Sequence, residues 1–474
     1  MAADKNVLAS IVAHKREEVL RRRVERPLAS FVHQLRLSSR SLADALAKPG
    51  NRFIMEYKRA SPSKGLIRSD FSPRDCLKAY TGAADAISVL TDEQFFSGRH
   101  EFLQTISKHG SLPVLCKDFF IDTYQVYEAR DYGADAILLM LSVLTDEEYL
   151  ALSQVAEELN MDVLTEVHTR AECERAVTLN AKIIGINNRD LRTLSIDLST
   201  TEALAPLIPS DRLIISESGI NGRADVTRLA AKVDGFLVGS SLMSQPDVAL
   251  AARRLVFGSV KICGIDTLEN ALVAVSEGAE YLGIMCYPNS PRYLTIDSAS
   301  VITRNLNARF VGVFVDADEQ TILHSVAQLN LSGVQLHGNE SLSQAAQLKA
   351  LLAEDVVLWK ALSLAEESDI KLITQWLQVV DAVVIDYQTE QVLGGTGQSF
   401  DWRLLPALFE RVDREKIIIA GGINANNITQ LAEFSECTID LSSGVEQVKG
   451  KKDAAKISAF MHQCRMNGVK QVNV

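Results

Sequence analysis

No stretch of this 474-residue chain runs for about 18 residues as uncharged apolar sequence, so nothing in it reads as a membrane-spanning helix. The start, MAADKNVLASIVAHKREEVLRRR, has neither the apolar core nor the cleavage site of a secretion signal. It mixes charge and apolar residues at helical spacing and reads as a surface helix. Positive charge is in deficit. The formal net charge of -11 argues against a general nucleic-acid or acidic-membrane binder, while leaving room for local pockets that take small anions. Paired cysteines are missing too: Cys76, Cys116, Cys173, Cys263, Cys286, Cys437 and Cys464 are odd in number and scattered, with no CxxC spacing for zinc or redox work. These absences point to a reducing, cytoplasmic setting and to no metal centre.

What the chain does have is core. Apolar residues make up 47% and charged ones 23%, the balance of a soluble globular protein, and the length suits two or three domains. Short aliphatic runs recur from residue 52 onward, separated by charged stretches of helical period: RFIMEYK, ADAISVL, LPVLCKD, ADAILLM, MDVLTEV, AKIIGIN, RLIISES and VDGFLVG. After ALAARRLVFG the plan repeats with VKICGI, AEYLGIM, ARFVGVF, LSGVQLH, DVVLWKA, DAVVIDY, EKIIIAG and CTIDLSS. Runs that are continuously apolar suit strands buried on both faces of a parallel sheet. Two eightfold series predict an α/β chain of two consecutive (βα)8 TIM barrels, residues 1–258 and 259–474, the first with a helical extension over 1–48. Open eight-stranded α/β sheets would show the same period.

Active sites of parallel barrels lie at the carboxyl ends of the strands, so charge where an apolar run stops is informative. In the first half the runs end in Glu56 and Lys58, in Lys117 and Asp118, in Glu166, in Asn187 and Arg189, and in Glu217 and Ser218. Any one of these alone reads more readily as a solvated loop charge. Together, lysines and glutamates in one narrow mouth would shift one another's pKa values and suit proton transfer on an anionic substrate. Gly219, Gly239 and Ser240 follow strands seven and eight, where barrels commonly bind phosphate.

In this order, EYKRASPSKG, LCKDFFID, LTEVH, GINNRDL, ISESGI and FLVGSSLM resemble the indole-3-glycerol-phosphate synthase family across residues 1 to about 256. That family closes the pyrrole ring of 1-(2-carboxyphenylamino)-1-deoxyribulose 5-phosphate with loss of carbon dioxide and water. The resemblance implies Lys117 as general acid, Lys58 close to the reacting centre with the division of proton donation between the two lysines left open, and Glu166 as acid or base in the dehydration. It implies that Glu56 and Glu217 tune the lysines and that Asn187, Arg189 and Ser218 bind substrate. Ser61, Gly219, Gly239 and Ser240 would cradle the phosphate, and the extension would lie over the barrel mouth. No cofactor is implied.

In the second half Cys263 ends the first strand; a lone cysteine there is more often a small buried hydrophobe. Asp386, ending DAVVID, is harder to place in a core, because an ionised carboxylate must be solvated or paired. A thiol and a carboxyl across one mouth form a plausible base and acid. Arg292 and His337 are further mouth candidates, although a histidine alone reads as structural. KICGI, YPNSPRY, GVFV, VQLHGNE, LWKAL, GGTGQSFDW, AGGIN and DLSSGVE resemble phosphoribosylanthranilate isomerase across residues 259 to about 461. That implies an Amadori rearrangement with Asp386 as acid and Cys263 as base. Arg292 would meet the anthranilate carboxylate, with Gly397, Gly422, Asn424, Ser443 and Gly444 around the phosphate. Asp266, where that family commonly has threonine, and MCYPN depart from its pattern and touch loop contacts only.

The two implied reactions are consecutive, the isomerase product being the synthase substrate. A lysine-based aldolase pair would also want a strand-end lysine, but would not need Cys263 with Asp386. A retained, non-catalytic barrel would not need full sets of charged strand ends in both halves. The expected partners are phosphorylated small molecules, with no nucleic acid and no membrane, and the expected state is a monomer.

Overall fold

The computed structural model describes residues 7–63, 65–190, 193–386 and 400–466. The sixteen barrel strands coincide with the apolar runs, overrunning them only by Ser259 and Leu362. The first eight are β1 (Arg52–Tyr57), β2 (Ala86–Leu90), β3 (Val114–Lys117), β4 (Ala136–Met140), β5 (Asp162–Val167), β6 (Ile183–Asn187), β7 (Leu213–Glu217) and β8 (Gly235–Val238). Every pairing is parallel, and β1 pairs with both β2 and β8, Arg52 standing opposite Gly235, so the sheet closes. The open-sheet alternative is thereby excluded.

The second series is β9 (Ser259–Cys263), β10 (Tyr281–Met285), β11 (Arg309–Phe314), β12 (Gly333–Leu336), β13 (Val357–Leu362), β14 (Ala382–Ile385), β15 (Ile417–Ile419) and β16 (Thr438–Leu441). It closes in the same way, with Ser259 opposite Thr438. Buried aliphatic residues such as Ile54, Leu138 and Ile215 in the first unit and Ile262, Leu358 and Ile419 in the second form the cores. Local chemistry starts the connecting helices. Ser72, Asp122, Thr145, Thr169 and Ser341 each accept a backbone N–H as N-cap within a reciprocal capping box.

Helix α1 (Val7–Glu25) is the expected N-terminal helix, but it is not free on the surface: Ile11, Lys15, Glu18 and Val19 are buried. Internal contacts divide the chain at Ala252/Arg253, inside the helix Val248–Phe257. That helix ends at Gly258, whose φ of 79° suits a glycine after a helix C-terminus, and β9 begins at the next residue. Among the described residues no helix is long and apolar enough to cross a membrane.

Candidate active sites

The carboxyl ends of β1 to β8 surround one cavity, and all twelve first-barrel candidates line it: Glu56, Lys58, Ser61, Lys117, Glu166, Asn187, Arg189, Glu217, Ser218, Gly219, Gly239 and Ser240. Lys117 Nζ lies 2.7 Å from Glu217 Oε2 and 3.5 Å from Glu166 Oε2. Lys58 Nζ lies 2.5 Å from Glu56 Oε1 and 3.4 Å from Ser240 Oγ. Each lysine therefore has its own glutamate. Asn187 Nδ2 donates to Glu166 Oε1 at 3.1 Å and its Oδ1 accepts the Arg189 N–H, which strings the β5 and β6 ends together.

Burial alone would lower the Lys117 ammonium, but Glu217, Glu166 and Glu56 outweigh it and hold it protonated beyond the ordinary lysine range. Burial pushes the Glu217 carboxyl up to about 7, against the pull of Lys117. Two carboxylates, Glu166 and Glu217, share the one ammonium of Lys117, and Glu217 is the one placed to take up a proton. Glu56 Oε2 and Glu217 Oε1 are buried without a hydrogen-bond partner among the described residues. Arg189 is lowered by burial, and its Nη1 donates to the Leu194 carbonyl at 3.1 Å.

Two glycines make this packing feasible. A Cβ on Gly185 would overlap the Glu217 carboxylate, and one on Gly239 would overlap that of Glu56. Gly185→Ala is expected to push Glu217 away from Lys117. A displacement of that kind costs on the order of 10- to 100-fold in turnover, to be read as loss of first-barrel activity with second-barrel activity unchanged. Ser218 adopts a left-handed φ of 63° before Gly219 at 83°. Asn188 Nδ2 holds this turn by donating to the Glu217 and Ser218 carbonyls at 3.0 Å.

The extension lies over the mouth as the resemblance implied, but the sequence did not show which of its residues face the cavity or what anchors it. Val7, Leu8 and Ile11 of α1 line the cavity together with Phe96, Phe119 and Ile196. One turn beyond Ile11, Lys15 Nζ makes ion pairs with Glu18 at 2.7 Å and with Asp92 and Asp118 at 2.8 Å. The lysine is fully buried. Burial would raise the Asp118 carboxyl, yet Lys15 foremost holds it down at about 2. The extension is thus fixed to the ends of β2 and β3, next to Lys117.

In the second barrel Cys263, Arg292, His337, Asp386, Gly422 and Ser443 line a single cavity, with Gly421 and Ser442 beside them. Asn424 and Gly444 stand off its wall. Asn424 Nδ2 donates to the Gly422 carbonyl at 3.1 Å and its N–H donates to Asn427 Oδ1, so it braces the glycine turn. A Cβ on Gly444 would overlap the Ile423 carbonyl, so this glycine lets two loops approach. Gly397 lies outside the described residues.

His337 Nε2 lies 3.6 Å from Asp386 Oδ2, and Gln335 Nε2 is 3.0 Å from His337 Nδ1. Burial, helped by Lys261 and Lys360, lowers His337 to about 3 and keeps it neutral. Burial raises the Cys263 thiol against Lys261 and Lys452. Arg292 is bound at both ends of its fork by Glu446, at 2.6 and 3.1 Å. Lys261, inside β9, donates to Gln335 Oε1 at 2.9 Å and Asp440 Oδ2 at 2.7 Å. The signal for this last pair was present: each is a charge in the middle of an apolar strand. Among the described residues no group of histidine, cysteine, aspartate and glutamate is arranged to hold a metal.

Two closed barrels, each with its own acid–base mouth, make the chain a bifunctional (βα)8-barrel enzyme. The family model for indole-3-glycerol phosphate synthase matches residues 8–255, and that for N-(5'-phosphoribosyl)anthranilate isomerase matches residues 260–463. The tryptophan biosynthesis protein TrpCF of Yersinia pestis is 44% identical over 462 residues, covering 98% of this chain and 95% of its own. TrpCF of Vibrio cholerae is 43% identical over 459 residues, covering 97% and 96%. The solved phosphoribosyl anthranilate isomerase of Thermotoga maritima is 33% identical, spans 44% of this chain and 98% of its own, and has a TM-score of 0.39. The chain belongs to the fused indole-3-glycerol-phosphate synthase and phosphoribosylanthranilate isomerase family of tryptophan biosynthesis, the synthase first and the isomerase second.

Proposed function

We propose that the residues at the two mouths divide the reactions as follows, with the functional boundary at Gly258/Ser259. In the second barrel Asp386 gives a proton to the furanose ring oxygen of N-(5-phosphoribosyl)anthranilate, opening the ring to a Schiff base. Cys263 then takes the proton from the adjacent carbon; the C–H electron pair neutralises the iminium nitrogen, and the enolamine tautomerises to 1-(2-carboxyphenylamino)-1-deoxyribulose 5-phosphate. Arg292 meets the anthranilate carboxylate, His337 borders the acid as a neutral ring, and Gly422 and Ser443 contribute to the phosphate end. Asn424 and Gly444 belong to the loops that form it, and Gly397 is assigned to it on the resemblance alone.

In the first barrel Lys117 protonates the ribulose carbonyl as the aromatic ring attacks it, with Lys58 as the second ammonium at the reacting centre. Carbon dioxide leaves, its bonding electrons passing to the adjacent iminium, and Glu166 moves the proton that lets water depart. Glu217 and Glu56 orient the lysines, while Asn187, Arg189 and Ser218 hold the polar groups of the substrate. Ser61, Gly219, Gly239 and Ser240 take the phosphate. No cofactor enters either sequence. The observation that carries the reading is the ammonium of Lys117 held between two carboxylates on a shared cavity, 2.7 Å from Glu217.

The test is a coupled assay in which phosphoribosylanthranilate yields fluorescent indoleglycerol phosphate. Asp386→Ala is expected to block formation of the open-chain intermediate by at least about 100-fold, while synthase activity on supplied intermediate stays intact. Retained isomerase turnover would overturn the second-barrel assignment. We further propose a cytoplasmic monomer acting on phosphorylated small molecules. A single species of monomer mass is expected by size exclusion with light scattering, and elution as a dimer would refute this.

A further inference from the structure

The second barrel contains a buried ion cluster that neither proton transfer uses. Glu446 and Lys452 come from the short hairpin that follows β16, formed by Glu446–Val448 and Lys451–Lys452. Lys452 Nζ donates to Glu446 Oε1 at 2.8 Å, to the Ser442 carbonyl at 3.0 Å and to Ser442 Oγ at 3.1 Å. Ser442 Oγ in turn donates to the carbonyl of Cys263 at 2.9 Å. The same Glu446 carboxylate carries both bonds from Arg292. Side-chain exposure is 0% for Lys452, 4% for Glu446 and 7% for Arg292. One buried carboxylate therefore serves two buried cations, an arrangement whose desolvation cost is large.

The charged groups packed around the Cys263 mouth come from several elements and are three cations and three carboxylates. On β9, Lys261 is paired with Asp440 of β16. From the end of β12 come Gln335 and the neutral His337, and after β14 comes Asp386. From the loop after β10 comes Arg292, matched by Glu446. Lys452 shares the Glu446 carboxylate with Arg292, and its hydrogen-bond chain reaches the Cys263 backbone through a single hydroxyl.

We propose that Lys452 is a positioning residue for the isomerase reaction, its buried charge favouring the thiolate of Cys263, with Glu446 setting how much of that charge the sulfur feels. The inference rests on the reading of Cys263 as the base. Lys452 acts through the sulfur and does not touch substrate. Burial, joined by Asp440, opposes the thiolate, and the two lysines, Lys261 and Lys452, oppose burial; burial also lowers the Lys452 ammonium, against the pull of Glu446.

The test uses the full chain. Cys263 alkylation by iodoacetamide is followed by peptide mass spectrometry between about pH 6 and pH 10, beside the pH profile of isomerase kcat/KM. Lys452→Met is expected to move the alkylation midpoint up by about one unit, about a tenfold loss of thiolate near neutrality, and to carry the rising limb of the pH profile with it. Lys452→Arg keeps the charge and should stay close to the parent. Glu446→Gln removes the anion and should move the midpoint down. Opposite shifts from Lys452→Met and Glu446→Gln are the electrostatic signature, because lost packing would move both the same way. Synthase activity of each variant reports an intact chain. An unmoved midpoint in Lys452→Met, or shifts of one sign in both variants, would overturn the inference. A Cys263→Ser variant that kept full isomerase turnover would instead overturn the base assignment on which it rests. An inert Cys263→Ser beside an unmoved midpoint would overturn the inference alone.

Discussion

Lys117→Met is expected to cut synthase turnover by on the order of 100- to 10,000-fold, the usual range for a lost general acid, with isomerase activity unchanged. Supplied with phosphoribosylanthranilate, the variant should accumulate the open-chain ribulose phosphate and form almost no indoleglycerol phosphate. Methionine keeps an unbranched stem in the same strand-end position, so the loss reports the ammonium. The charge balance changes in a way that can be read separately. With Lys117 gone, Glu56, Glu166 and Glu217 face Lys58 alone, and Glu217, already pushed up to about 7 by burial, loses its partner at 2.7 Å. The parent enzyme should show a limb in synthase kcat/KM near pH 7. Below it Glu217 is protonated and no longer fixes Lys117, so activity falls as pH drops, and Glu217→Gln should abolish that limb. Lys58→Met is the informative comparison. Its ammonium is paired with Glu56 and faces Ser240, toward the loop expected to bind phosphate, so a larger rise in KM and a smaller fall in kcat are expected than for Lys117→Met. Turnover near the parent rate in Lys117→Met would sink the first-barrel assignment.

Much of both mouths was legible in the sequence for one reason: apolar strands are punctuated by charge, and a closed barrel turns every strand end toward the same cavity. Lys117 and Glu217 are 100 residues apart in the chain, yet each ends a run of aliphatic residues. Side chains within helices and loops were less legible. Lys15 stands in AHKREEVLRRR among many charges, and helical period does not say which of them turns inward. Glu446 and Lys452 lie in SGVEQVKGKKD, which reads as an ordinary polar loop until the hairpin folds them over Cys263. Asn424 and Gly444 show the converse. Their loops were correctly placed after β15 and β16, but sequence does not say which atoms of a loop face the cavity and which brace it from behind.

Lys15→Met is the second large effect expected, and it acts on stability and binding. The parent ammonium is fully buried with Asp92 and Asp118, themselves at most 2% exposed in their side chains. Removing one partner from such a cluster leaves charges uncompensated and costs roughly 3–5 kcal/mol. The loss should fall on the first barrel, seen as faster thermal inactivation of synthase than of isomerase in the same sample. Its pH dependence has a defined sign. Folding holds the Asp118 carboxyl at about 2, below the ordinary aspartate value of 3.8, so this contribution is complete above that value and fades as pH falls toward 2. The gap between parent and variant should accordingly be full between about pH 5 and 8 and shrink in acid. Catalysis should change in a different way from Lys117→Met. Lys15 lies one turn from Ile11, and Ile11, Leu8 and Val7 cover the cavity, so a loosened α1 withdraws apolar contact from bound substrate without touching the proton donors. A rise in KM of about tenfold with kcat nearly unchanged is the expected pattern, equivalent to about 1.4 kcal/mol of binding. A fall in kcat at constant KM would mean that Lys15 acts on the chemistry through Asp118 and Lys117, and not on the roof.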